Sequence, residues 1–209
     1  MGVGIGSVDP FRCVLCPKKR RVGKAARERG RYGSGVTDSE EVLKSHISPE
    51  MTAAIGRELG RRQSFPISDS DIRKWAIAIY YPEDPPRLFW DAAYAATTIH
   101  GGIVAPEDFN PFAWMSADPP GIRHGGYVGL EASLGVEPPD TRFMLNGGLE
   151  VTYGVRMRPG DVITSVSSLT GYQERQGRLG LMLLSTQSDR WTNQDDELVK
   201  STSMTLIRY

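Results

Sequence analysis

The residues best placed to do chemistry lie in one stretch, His100-Gly101-Gly102-Ile103-Val104-Ala105-Pro106, followed by Glu107 and Asp108. Two adjacent glycines let a backbone come close to a bound group. A glycine turn that runs into a helix offers free N–H groups to an oxyanion or a polarised carbonyl. Pro106 suits the first helical position, because its φ is preset and its missing N–H would have had no partner. Glu107 and Asp108 then sit in the first turn, where carboxylates meet the positive end of the helix dipole. The same pattern also describes a plain tight turn before a buried helix, and the residues alone leave both readings open. His100 is either an acid–base group facing a pocket or a hydrogen-bonded loop residue. Asn146-Gly147-Gly148 is a second polar spot, where the amide either reaches a ligand or turns the chain. Asp161, after Pro159-Gly160, reads as the cap of that turn. Trp75, Trp90, Trp114 and Trp191 read as core or interface rather than binding platforms.

The elements around these residues follow from local pattern. Ser48 can cap a helix, with Pro49 and Glu50 in its first turn. Gln63 to Ile67 reads as a short strand. Ser68 or Ser70 caps a helix whose Ile72, Trp75, Ala76 and Ile79 fall on one stripe. Pro82, Pro85 and Pro86 end it. Asp91 to Thr97 is a short alanine-rich helix. Pro106 to about Met115 is expected to be a second long helix with Phe109, Phe112 and Ala113 buried, although Asn110-Pro111 works against it. Asp118 to Pro139 is expected to be a loop. From Thr141 the pattern turns to strands. Arg142 to Val155 carries a glycine pair that suggests a bulge or a close backbone approach. Val162 to Ser168 alternates, Gln176-Gly177-Arg178 turns, and Leu179 to Trp191 and Leu198 to Ile207 return. Long antiparallel strands after helical segments indicate the α+β class.

Length and composition set bounds. The 209 residues with 39% hydrophobic content allow one ordinary domain, or one domain and a tail. A formal net charge of zero gives no global field towards nucleic acid or an anionic membrane. No apolar run approaches the ~20 residues that span a bilayer. Met1 to Pro10 lacks the pattern of a secretory signal. A cytoplasmic protein is the default. Residues 1–46 differ from residues 47–209: they hold the glycines Gly2, Gly4 and Gly6, the pair Cys13/Cys16 and a basic run from Lys18 to Arg31. They have little to bury and read as disordered, or as an extension upstream of a start nearer Met51. Two cysteines make half a zinc site at best, so no metal is expected. The basic run lacks the interleaved aromatics that stack bases.

Several of these motifs, in order, resemble the dehydratase-like half of the MaoC family of (R)-specific enoyl-thioester hydratases and dehydratases. They are the helix Ile72 to Ile79, Pro85-Pro86, Asp91-Ala92-Ala93-Tyr94-Ala95, Gly101 to Pro106, Asn146-Gly147-Gly148, Met157-Arg158-Pro159-Gly160-Asp161, and the ending Glu197 to Arg208. The resemblance covers roughly Ser48 to Tyr209. It implies a single hot-dog domain, in which a curved antiparallel sheet wraps a long central helix. It implies an acyl thioester of coenzyme A or acyl carrier protein as ligand, no cofactor, no nucleic acid and no membrane. It implies substrate contacts at Gly101, Gly102, Ile103, Val104, Ala105, Pro106, Asn146 and Gly147. Arg61, Arg62 or Arg87 could then meet coenzyme A phosphates.

The family reaction adds water across a trans-2-enoyl thioester, or removes it. It needs a base for the water, an acid for the α-carbon and donors for the thioester oxygen. Active members place an Asp and a His in a D-x-N-P-x-H loop. Here that loop is Tyr80 to Phe89. With Pro85 as the motif proline, Pro82 and Arg87 occupy the Asp and His places; with Pro86, Glu83 and Leu88 do. Neither register has the His, and Arg holds its proton near neutral pH. This departure points to the half of a double hot dog that shapes the acyl pocket, with a partner subunit carrying the dyad. The alternatives are a homodimer with rewired chemistry at His100, Glu83 or Asp84, a non-enzymatic thioester-binding module, and a hot-dog thioesterase whose carboxylate is Glu107 or Asp108.

Overall fold

The computed structural model describes residues 44–113, 115 and 129–209. Cys13, Cys16, the basic run, Trp114 and His124 lie outside the described residues.

The helix starts follow the caps. The Ser48 side chain accepts the Met51 N–H at the head of α1 (Pro49–Ala53). Ser68 accepts from Asp71 at 3.1 Å and opens α2 (Asp69–Tyr80), the longest described helix. Asp91 accepts from Tyr94 at 3.0 Å and opens α3 (Ala92–Ala96), after a 3₁₀ turn over Arg87–Phe89. α2 buries Ile72 and Ala76 completely, whereas Ile79, expected on the same stripe, is half exposed.

The expected helix over 106–115 does not form among the described residues of that range. Pro106, Asn110 and Phe112 carbonyls instead accept from Phe109, Ala113 and Met115 in successive turns. Asn110 Oδ1 accepts the Phe112 N–H at 3.0 Å, a local bond that competes with helix continuation. Pro111 has no N–H to give and disfavours the α region for Asn110. Phe109 and Phe112 are buried as expected, but Ala113 is exposed. The expected strand over 63–67 lies earlier, as β1 (Glu58–Gln63). The expected loop over 118–139 contains a short helix, α4 (Leu130–Ser133), and its residues 118–128 are outside the described set.

The four long strands are β2 (Met144–Tyr153), β3 (Thr164–Gly177), β4 (Gly180–Thr192) and β5 (Leu198–Arg208). With β1 they make one antiparallel sheet in the order β1-β3-β4-β5-β2. This is the α+β class expected. One face of the sheet carries two apolar clusters. The first joins Ile72 and Ala76 of α2 to Ala105, Phe109 and Phe112 and to Met157, Ile163, Trp191 and Val199. The second joins Ala54, Leu130 and Leu134 to Leu169. Two edge-to-face contacts, Trp75–Phe109 at 5.7 Å and Phe112–Trp191 at 5.1 Å, seat the 106–112 turns where a longer helix was expected.

Candidate functional site

The glycine stretch is held from both ends. The Gly101 N–H donates to Thr98 O at 3.0 Å, and Gly101 has φ +64°, a conformation that favours glycine. Downstream, the Ala105 N–H donates to Met157 O at 2.8 Å, and Val104 and Ala105 are buried. The backbone donors of Gly102 and Ile103 find no acceptor among the described residues. The N–H of buried Val104 also finds none among the described residues, and these three are the groups this stretch can offer to a ligand. Because Pro106 opens turns and no helix, no helix dipole adds to them.

His100 lies on a polar cleft of about 460 Å³ with Arg156, Arg158, Asp161, Asn193 and Glu197. The acids there are occupied. Asp161 accepts the Arg158 N–H at 2.7 Å and Gln194 Nε2 at 3.2 Å, so it caps its own turn as expected. Glu197 accepts Asn193 Nδ2 at 2.8 Å. Among the described residues no carboxylate orients the His100 ring, which a general base of the usual kind requires.

The loop after α2 lies elsewhere. Asp84 borders a groove of about 310 Å³ with Arg73, Ile77, Pro85 and Trp90, while the neighbouring Glu83 gives its N–H to Tyr80 O. Arg87, at the His place of one register, is paired with Asp91 at 2.6 Å and lies 4.7 Å over the Tyr94 ring. Asn146 and Gly147 are on β2. Asn146 Oδ1 accepts the Gly148 N–H at 2.9 Å across a bulge against β5. A Cβ on Gly147 would come within 2.8 Å of Ile207 Cγ1 and 3.1 Å of Thr205 O, so this glycine answers to close strand approach. Tyr153, at the other end of β2, is the end nearest the glycine stretch; Asn146 stands about 20 Å away along the strand at ~3.3 Å per residue. The candidates therefore fall in three places.

Two polar groups were not expected. Asp108 Oδ1 accepts the Tyr153 O–H at 2.5 Å and the Lys200 ammonium at 3.4 Å, with Lys200 5.3 Å from both the Tyr153 and Trp191 rings. The Tyr153 bond, aided by Lys200, keeps the Asp108 carboxyl below the usual carboxylate range; the same bond pushes the Tyr153 phenol up to about 12. Glu131 of α4 is fully buried, bonded by Arg208 at 2.6 and 2.7 Å and by the Tyr172 O–H at 2.9 Å. Burial alone would raise the Glu131 pKa, but the Arg208 guanidinium outweighs it and leaves it lowered. The Tyr172 phenol is pushed up by burial and by Glu131. Both groups depend on strand register, which the sequence does not state. Among the described residues no cluster of His, Cys, Asp and Glu could hold a metal.

Residues 53–202 match the family model described as FAS1-like, dehydratase domain region. The chain belongs to this FAS1-like dehydratase-region family. Comparison with curated protein sequences gives no significant match. Among solved structures, the chain is similar to one in the ChsH1–ChsH2 complex from Mycobacterium tuberculosis, at 21% identity and TM-score 0.53, over 73% of this chain and 84% of that one. It is also similar to the (R)-hydratase from A. caviae involved in PHA biosynthesis (15%, TM-score 0.47, 73% and 94%). A third is the HadBC (3R)-hydroxyacyl-ACP dehydratase complex from Mycobacterium tuberculosis (18%, TM-score 0.45, 73% and 99%). The fold of this dehydratase-region protein is the hot dog, one five-stranded antiparallel sheet with a few helices among the described residues. Among the described residues no helix is long and apolar enough to cross a membrane.

Proposed function

We propose that the chain is a subunit of an (R)-specific enoyl-thioester hydratase or 3-hydroxyacyl-thioester dehydratase, the half that shapes the acyl pocket. The observation that carries this is the loop after α2. In a chain of the dehydratase family, its His place holds Arg87 or Leu88, and Arg87 is spent on Asp91. The acid and base must then come from a second hot-dog subunit. The substrate is an acyl thioester of coenzyme A or acyl carrier protein. Gly102 and Ile103 supply donors for the thioester oxygen, in the stretch Gly101 to Pro106. A groove of about 250 Å³ on the sheet, lined by residues that include Leu149, Gln187, Asp189, Thr202 and Met204, receives part of the acyl group. The thioesterase reading is weaker, because Asp108 is engaged by Tyr153 and Lys200 and Glu107 is 3.4 Å from Arg156.

The test is hydration of crotonyl-CoA and of a bulkier enoyl-CoA, followed by loss of the conjugated thioester's absorbance. The chain is assayed alone and with a hot-dog chain from the same genome that carries D-x-N-P-x-H. Activity only in the mixture, above that of the second chain alone, is expected. Activity of the lone chain overturns the proposal and directs mutation to His100, Glu83 and Asp84. Release of free coenzyme A would establish the thioesterase. Tight acyl-CoA binding without turnover in either sample would establish a binding module.

A further inference from the structure

The groove on the sheet is half apolar and half polar, and most of its polar half is unpaired. Strand register orders its lining into two rows. Leu149, Met204 and Gln187 stand side by side across β2, β5 and β4. Thr202, Asp189 and Ser167 do the same across β5, β4 and β3. Polar neighbours on the same face are already used. Tyr153 and Lys200 hold Asp108, Tyr172 and Arg208 hold Glu131, and Ser185 accepts from Arg208. Gln187, Thr202 and Ser167 make no side-chain hydrogen bond among the described residues. Asp189 is fixed in place by the Ser165 O–H at 2.7 Å and the Trp191 indole N–H at 2.8 Å, with Arg62 at 3.9 Å. Each of its oxygens takes one of those two donors and keeps a lone pair for another. A groove for a plain alkyl chain would be apolar throughout, because a methylene laid over an amide or a carboxylate strips its water and returns nothing.

We propose that the acyl group carries a hydroxyl remote from its thioester, received by Asp189, Gln187 and Thr202 while the hydrocarbon beside it lies on Leu149 and Met204. This rests on the proposed function for the thioester, and it adds what the acyl group must carry. Asp189 selects the chemistry. An ionised carboxylate accepts and cannot donate, so the ligand must bring a proton, which a ketone does not have. Arg62 already faces the charge of Asp189, so no second cation is called for, and a carboxylate on the ligand would be repelled. A hydroxyl donates to Asp189 and at the same time accepts from the Gln187 amide or the Thr202 hydroxyl. It is not the hydroxyl that hydration places at C3. The donors for the thioester oxygen lie past the Tyr153 end of β2, and Leu149 is four residues back along that strand, about 13 Å at ~3.3 Å per residue.

The experiment uses the full chain together with the hot-dog subunit carrying D-x-N-P-x-H. The probes are dodecanoyl-CoA and its 8-, 10- and 12-hydroxy forms, which have no double bond to hydrate. Kd is measured by calorimetric titration, and the Trp191 indole N–H is followed by NMR. At least one hydroxy form is expected to bind about tenfold or more tighter than dodecanoyl-CoA, because the alkyl chain leaves the polar groups unpaired. That form should shift the Trp191 indole signal more than dodecanoyl-CoA does, since the indole shares Asp189 with the ligand. Gln187→Leu and Thr202→Val are each expected to cut the preference to about threefold or less. Both residues are only partly buried, circular dichroism checks each fold, and either variant suffices for the test. Hydroxy forms that bind no tighter than dodecanoyl-CoA at any position overturn the inference, as does a preference that survives both substitutions. The functional proposal is then untouched, because crotonyl-CoA is too short to reach the groove. If the pair binds none of the four thioesters the inference falls, and if it also leaves crotonyl-CoA unhydrated both fall.

Discussion

Two carboxylate–tyrosine–cation groups fasten irregular chain to the same face of the sheet, and they differ in little except water. Glu131, Tyr172 and Arg208 tie α4 down; Asp108, Tyr153 and Lys200 tie down the turns after Pro106. Both cations lie on β5, an even number of residues apart and so on one face. The Glu131 side chain is 1% exposed and its guanidinium partner 10%. The Asp108 side chain is 73% exposed. In the first group the charges are bidentate, dry and mutually dependent. In the second, the carboxylate keeps most of its solvation beside one hydroxyl and one ammonium. The comparison teaches that the same chemistry acts inside the core at α4 and at the surface at Asp108, where the 106–112 turns are seated by buried Phe109 and Phe112 and not by the ion pair.

The strongest way to break this comparison is to remove the buried cation. Arg208→Ala leaves Glu131 buried and unpaired, which costs about 3–5 kcal/mol. Thermal unfolding of the variant is expected roughly 10 °C below that of the parent, at ~2–4 °C per kcal/mol for a chain of this size. A loss under about 1 kcal/mol would mean that the pair is no more than a surface contact.

A smaller effect sharpens the comparison through pH. Glu131 is depressed in the fold from an ordinary 4.5. A depressed carboxyl contributes stability that is complete above its unfolded pKa and is lost as pH falls through its folded pKa. Denaturant midpoints measured downward from neutrality should therefore drop steeply below about pH 4.5 in the parent. Glu131→Gln, already weaker at neutral pH, should drop less steeply over that range. Parallel curves would assign the acid sensitivity to other carboxyls.

How much of this was legible beforehand depends on the range of the interaction. The caps at Ser48, Ser68 and Asp91 are short-range devices and were readable as residue types before a helix. The strands from Met144 onward showed in alternation and in the turns that separate them, and Asp161 was readable as a turn cap. The 106–115 segment has apolar spacing that suits a helix, whereas Asn110 and Pro111 settle the backbone locally. Neither polar group could be read, since the pairing of Tyr153 with Lys200 depends on a register that shifts at the Asn146/Gly148 bulge, and Tyr172 faces Ser185 only after a shift at Leu169/Gly171. The candidate site was legible as a list of residues. It was not legible as three separate places, because separation along β2 and the anchoring of Ala105 by Met157 are tertiary facts.

The smallest expected effect concerns the exposed group and is the more discriminating one. Asp108→Ala removes a carboxylate that water screens, so its cost to stability should stay within about 1 kcal/mol and shrink further in high salt. Its spectroscopic effect should be clear all the same. The Tyr153 phenol is held near 12 chiefly by donating to Asp108. Without that acceptor, Tyr153 should titrate closer to the ordinary value of about 10, as read by site-resolved tyrosine NMR with Tyr153→Phe identifying the signal. Tyr172, whose shift begins with burial, should not move. If Asp108→Ala instead destabilised the fold as much as Arg208→Ala, the Asp108 group would carry as much of the fold as the buried one, and the contrast between a dry and a solvated group would be lost. If stability and the Tyr153 titration were both unchanged, the Asp108–Tyr153 bond would not persist in solution, and the two groups would differ in persistence as well as in exposure.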